Sequence, residues 1–254
     1  MPKLIHDTAT VFSREITPEL RSPVSIVLAM GQPLLFLVLF GSMLVGTGAS
    51  LGDGDGDVWQ WFVPGILVMM CLLGPLSAGH SLLSELNGGQ MERFLVTPLS
   101  RASLILGRTG KDTATLFTQA ILLTAVAVPL GMRLHLAGAL ATVVLLIILA
   151  VGLSALSYVL ALASRPSGTL FWMVTQMLVF PLMLLSGILL PVDAGPGWLG
   201  AVAAVNPVTY IVDAARALFI GDFLDASVRY GLIAATAIAV IGLTLSTRAM
   251  RHGI

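Results

Sequence analysis

Five polar side chains interrupt otherwise apolar stretches of this 254-residue chain: Gln32, His80, Gln119, Thr175 and Gln176. In an apolar setting such groups are costly. They serve either as hydrogen-bonding ties between helices or as the lining of a solute path. Gln32, Gln119 and Gln176 are the candidates for a path, and each is equally suited to a tie. No Asp or Glu stands in the middle of an apolar stretch. A carrier driven by an ion or proton gradient normally uses such a carboxylate, so gradient-driven transport is the less favoured chemistry. Proteolysis within a membrane needs a Ser–His pair or two aspartates. Ser186-Gly187 has Leu184 where a G-x-S-G turn has glycine, and no second histidine lies deep in another apolar stretch. The Gly-Asp repeat around Asp53, Asp55 and Asp57 lacks the further ligands and terminal Glu of a calcium loop and reads as a solvated turn. The chain contains no G-x-x-x-x-G-K-[ST] loop to cradle nucleotide phosphates. Its single Cys71 has no partner for an internal disulfide.

The elements that hold these residues follow from composition. Hydrophobic residues make up 57% of the chain and charged ones 10%, against about 25% charged in a soluble domain. Mean hydropathy is +0.97. These values exclude an ordinary cytosolic enzyme, a disordered chain and a disulfide scaffold, and the zero net charge offers no basic surface for nucleic acid. About 20 apolar residues are needed to cross a bilayer as a helix. Six segments qualify: Val24–Val45, Trp59–Leu83, Leu104–Leu130, Leu136–Leu162, Thr169–Leu190 and Val228–Leu245. Gly74-Pro75 should kink the second. The first 23 residues carry Lys3, Asp7, Arg14, Glu15, Glu19 and Arg21 and no compact apolar core, so no cleavable signal peptide is expected.

With both termini cytoplasmic, the inside segments hold Lys3, Arg14, Arg21, Arg93, Arg101, Arg108, Lys111, Arg165, Arg248 and Arg251, and the outside segments hold Arg133, Arg216 and Arg229. That asymmetry is the positive-inside pattern. The expectation is an all-α polytopic membrane protein, one transmembrane domain over 1–254, with six transmembrane helices.

Three segments are not spans. Residues 1–23 are amphipathic, with Leu4, Ile5, Thr8, Val11, Phe12 and Ile16 near one face. They predict an interfacial helix that rests on the membrane or touches a cytoplasmic partner. The inside loop, 84–104, has Gly88-Gly89 to bend the chain and Pro98 to end a helix. Between them Met91, Phe94 and Leu95 share one face while Gln90, Glu92 and Arg93 point elsewhere. A helix this short is unstable alone and must be held by membrane, by the rest of the chain or by a partner. The outside segment, 191–227, contains two apolar stretches, Trp198–Val205 and Val208–Ile220, divided by Asn206-Pro207. Neither is long enough to cross, so together they predict a re-entrant hairpin. Asp213 and Arg216 lie at i, i+3 on its second arm and are spaced to pair.

The loop Glu85–Arg101, with Gly89, Glu92-Arg93 and Val96-Thr97-Pro98-Leu99-Ser100-Arg101, resembles the signature of ABC type-2 exporter permeases, the daunorubicin-resistance permease group in particular. Phe180-Pro181-Leu182-Met183-Leu184-Leu185-Ser186-Gly187 through Pro191, and Asn206-Pro207-Val208-Thr209-Tyr210 through Ala215-Arg216, fit the same pattern. The resemblance covers nearly the whole chain. It implies a type V exporter-like fold: an N-terminal interfacial helix (1–23), spans one to five (24–190) with a cytoplasmic coupling helix, an extracellular re-entrant hairpin (191–227), and span six with a cytoplasmic tail (228–254). It implies coupling of Gly89, Gln90, Met91, Glu92, Arg93, Phe94 and Leu95 to an ATPase subunit. Two such subunits act in trans and carry the ATP and Mg2+, with no cofactor on this chain. A second permease copy or paralogue completes the pathway, in the plasma (inner) membrane of a bacterium. Aromatic residues are 7% of the chain and form no stripe of the kind that lines a glycan channel. The expected substrate is therefore an amphipathic drug-like, lipid or glycolipid molecule. A haem or cofactor-export permease and a gradient-driven secondary transporter are the alternatives.

Overall fold

Long apolar runs with few breakers dictate helices, and helices are what form. The structure is a computed structural model that describes residues 2–47, 58–88, 101–164, 168–189, 191–192 and 196–252. Among these, helices α1 (Pro2–Arg21), α2 (Pro23–Thr47), α3 (Val58–Asn87) and α4 (Arg101–Ala127) follow in order, α4 being extended by a 3-10 turn, Val128–Leu130. Then come α5 (Leu136–Ala163), α6 (Thr169–Leu184), α7 (Gly197–Ala203), α8 (Pro207–Ile220) and α9 (Ala226–His252). No strand occurs among the described residues.

Among the described residues, four helices are long and apolar enough to cross a bilayer: α3 over Val58–Ser84, α4 with its 3-10 turn over Gly107–Leu130, α5 over Leu136–Ala163 and α9 over Ala226–Ala249. The count becomes five if α7 and α8, which meet at 88°, form one broken span. The two remaining apolar segments are shorter helices, Met30–Val45 within α2 and Thr169–Leu184. The predicted fifth segment ran to Leu190, but the helix stops at Leu184. Pro181 has no N–H for its own helical bond. Three residues beyond the helix end, Gly187 takes φ 72, a left-handed turn that favours glycine. The Ser186 hydroxyl donates back to the Met183 carbonyl at 2.8 Å within the same turn.

α3 is the centre of the bundle, buried on every side from Phe62 through Leu72. α5, α8, α4 and α2 surround it, and α9 packs on α5 and α8. The α5–α9 crossing is made by small residues. A Cβ on Gly152 would stand 2.7 Å from the Ala239 backbone, so the two backbones approach as closely as apolar surroundings reward. Polar ties between α3 and α5 are few: Cys71 Sγ donates to the Leu146 carbonyl at 3.3 Å, and the Gly79 N–H donates to Ser157 Oγ at 2.9 Å.

Candidate functional site

At the end of the bundle carrying α7 and α8, side chains repair broken backbone. Pro207 opens α8 and Asn206 caps it, its Oδ1 accepting from the Val208 N–H at 3.0 Å. The amide of the same Asn206 donates to the Leu182 carbonyl at 2.8 Å, near the end of α6. Thr209 donates to the Ala203 carbonyl at 3.1 Å and stands 3.4 Å from that of Leu185. Tyr210 donates to the Ala204 carbonyl at 2.7 Å. Thus the two later motifs singled out in the sequence, Phe180–Pro191 and Asn206–Arg216, lock together. One leaves carbonyls without helical partners and the other supplies the donors, which matters because unsatisfied carbonyls in an apolar region are costly.

Arg216 is the strongest of these ties. Its Nη2 donates to the Gly187 carbonyl at 2.7 Å and its Nε to the Trp61 carbonyl at 3.2 Å. The guanidinium carbon lies 3.7 Å above the Trp61 ring, a cation–π contact. The expected pairing with Asp213 is present but secondary. Nη1 is 3.6 Å from Oδ1, and the aspartate side chain is 48% exposed against 17% for the arginine. One cation therefore joins α8 to α3 and to the turn after α6.

Two further residues hold this end and had no marking in the sequence. The Gln60 amide donates to the carbonyls of Arg133 and Phe219 at 2.9 and 3.1 Å and accepts from the Arg133 N–H at 3.1 Å. His135 caps α5, its Nδ1 accepting from the Gly138 N–H at 3.2 Å, and lies beside Phe223. Their partners are distant in sequence, and only a polar residue at a predicted span end hints at the role of Gln60. On the exposed turn before α9, the Ser227 backbone N–H donates to Asp225 at 2.6 Å and holds its carboxyl below the usual carboxylate range.

At the opposite end, α1 lies along the start of α4. Val11 is buried where it meets Gly107, Phe12 approaches Gly110, and Glu15 stands 3.8 Å from Arg108. Part of the apolar face predicted for residues 1–23 is thus spent on the chain itself. His80 is exposed on α3 with its ring 4.8 Å from that of Trp172. It opens on a pocket of about 430 Å³ lined also by Ser84, Asn87, Thr169 and Met173.

The predicted path residues sit on three helices. Gln32 on α2 and Gln176 on α6 are exposed, and Gln119 on α4 is partly buried. α6 packs chiefly on α3 and α5, so a single chain does not gather the three into one cluster. The predicted coupling residues Gly89, Gln90, Met91, Glu92, Arg93, Phe94 and Leu95 lie outside the described residues, as do Asp53, Asp55 and Asp57. What is described is their frame: α3 ends at Asn87 and α4 begins at Arg101.

A helical bundle with helices long and apolar enough to cross a bilayer, and a broken hairpin whose carbonyls are satisfied from within, marks a membrane-embedded protein. The family profile of the ABC-2 type transporter matches residues 6–220, and the chain belongs to that family, as the three motifs implied. It is 30% identical over 201 residues to a transport permease, ycf38, of Cyanophora paradoxa, covering 78% of this chain and 69% of the relative. It is 24% identical over 205 residues to the daunorubicin resistance ABC transporter permease protein DrrB1 of Streptomyces coeruleorubidus, covering 78% and 70%. A doxorubicin resistance ABC transporter permease protein, DrrC, of Mycobacterium tuberculosis is 24% identical over 213 residues, covering 82% and 75%. Members of the family are membrane permeases that work with ATPase subunits.

Proposed function

We propose that the chain is the transmembrane subunit of an ATP-driven exporter, powered in trans by two separate ATPase subunits that bind the ATP and Mg2+. The observation that carries this is the family match over residues 6–220 on a chain without a phosphate-cradling loop of its own. In the bilayer the chain crosses six times, α2 and α6 completing the four longer crossings, with both termini inside and α7–α8 re-entrant from outside. A second permease copy or paralogue faces α2 and α6. The support is the apolar surface those helices leave open, including Leu28, Leu35, Leu39 and Met43 on one and Met173, Met177, Phe180 and Leu184 on the other. Open faces of this kind mark contact with another helix or with lipid.

The substrate is an amphipathic, drug-like, lipid or glycolipid molecule. Two relatives named for daunorubicin and doxorubicin resistance support the drug-like end of that range. Gln32, Gln119 and Gln176 offer hydrogen bonds along the path once two copies meet. Coupling runs through Gly89–Val96, with Met91, Phe94 and Leu95 entering a groove on the ATPase in the helix-in-groove manner and Glu92 and Arg93 setting its orientation at the rim.

The test is reconstitution in liposomes with an ABC-type ATPase subunit that co-purifies with this chain. The chain alone should hydrolyse no ATP, and the complex should show substrate-stimulated hydrolysis. Glu92→Ala should lower transport while leaving the permease inserted and dimeric. Phe94→Ala should weaken ATPase capture by about 1–3 kcal/mol, as for a buried interface anchor. Gradient-driven transport by the chain alone would overturn the reading.

A further inference from the structure

A second apolar feature lies away from α2 and α6. Between α4 and α5 a groove of about 320 Å³ opens sideways, with Leu67 of α3 and Phe219 of α8 on its lining. Those two residues are fully buried and form the floor. Phe117, Ile121 and Leu140 are exposed along the walls. Ala120, Ala125 and Ala139 line it too, and their small size leaves the space open. Thr124 is the one polar side chain on the lining.

Length and charge say what fills it. On α4 the lining runs from Phe117 to Val128, about 16 Å at 1.5 Å per residue. That is half of a hydrocarbon core roughly 30 Å thick, the depth of one leaflet. The groove begins at the end of the bundle where α4 turns into α5. Leu134 and Leu136 form its lip, and Arg133, exposed, immediately precedes Leu134. The Arg133 backbone is fixed by Gln60 from both its N–H and its carbonyl, so the residue is held in place beside the lip. A leaflet-deep apolar slot with a cation at its polar end has the form of a phospholipid with one acyl chain inserted.

We infer that the α4–α5 groove holds one retained phospholipid, an acyl chain lying on Leu67 and Phe219 and the phosphate at Arg133. The inference depends on membrane embedding and not on the exporter reading. The chain of this lipid fills space that no side chain occupies, so the lipid exchanges more slowly than those around it and acts as part of the bundle.

The experiment is native mass spectrometry of the full chain, taken from vesicles of phosphatidylethanolamine and phosphatidylglycerol and washed through detergent. The wild type should keep one phospholipid per chain. Ala125→Trp, placed on an exposed wall position, should fill the slot and lose it. Arg133→Ala should lower retention about 10-fold, the loss of one charge-assisted contact, and Arg133→Lys should keep most of it. Arg133 is exposed and its backbone bonds do not involve its side chain, so this pair reports on lipid even if Ala125→Trp fails to fold. A wild type that retains no lipid overturns the inference, as does equal retention in Arg133→Ala and wild type. So does disulfide cross-linking between two copies carrying Ala125→Cys, which would put a neighbouring chain over the groove; the native Cys71 is buried.

Discussion

The α7–α8 hairpin and helix α6 are neighbours in the chain and differ in what holds them. In the hairpin, Asn206, Thr209, Tyr210 and Arg216 each donate to a backbone carbonyl. α6 has only Phe171, Val179 and Met183 buried, while Met177 is 83% exposed. The hairpin is over-determined by polar contacts, and α6 by few contacts of any kind. The two later motifs are thus fasteners of broken backbone at one end of the bundle, while most of the first, Glu85–Arg101, lies outside the described residues. The outer surface of α6 is instead apolar, with Met173, Met177, Leu178 and Phe180 all exposed.

The comparison breaks most readily at Arg216. Arg216→Ala strands the Trp61 and Gly187 carbonyls and should cost about 3 kcal/mol, the range for losing a buried, hydrogen-bonded charge. Thermal unfolding in detergent would measure it, and Arg216→Lys should recover part of the loss. Next in size is Gly152→Leu. Overpacking at the α5–α9 crossing should cost about 2 kcal/mol or more, seen as a lowered midpoint and looser α9 protection in hydrogen exchange. Asn206→Ala removes a helix cap and the bond to Leu182, and about 1–2 kcal/mol should go with them. On α6 the expectation reverses: Gln176→Leu and Met177→Ala should shift stability by less than about 0.5 kcal/mol while changing substrate preference or dimer content in the transport assay. If either α6 variant instead unfolds the isolated chain, the contrast between the two regions is wrong. The smallest effect concerns pH. Asp225 has its carboxyl pKa lowered in the folded state, so its contribution is present above the ordinary carboxylate range and lost as pH falls through the lowered value. Asp225→Asn should flatten that slight acid dependence, with stability slightly below the wild type near neutrality and equal to it in acid, as unfolding midpoints across the pH range would show.

Much of the architecture was legible because length and apolarity are local properties. Each of the six apolar segments falls on a helix, and the break at Asn206-Pro207 announced the bend. The error at the end of α6 has a local cause too. Hydropathy carries on to Leu190, whereas Pro181 and Gly187 act on backbone geometry that hydropathy does not register. The site was less legible. Arg216 was paired in sequence with Asp213, its neighbour by helical spacing, yet its nearer partners are Gly187 and Trp61, which no periodicity connects to it. Gln60 looked like an ordinary residue at a span end, and its ties to Arg133 and Phe219 emerge only when the helices are assembled.

The close approach of α5 and α9 bears on how variants of this chain should be read. In a soluble core, damage scales with the size of the side chain removed. Here a change from Gly152 to any larger residue should be harsher than trimming Val144 or Ile241, both more than half exposed. A variant scored by how conservative it looks would be misjudged on these two helices. The smallest side chains are the sensitive ones, and many of the large ones are interchangeable.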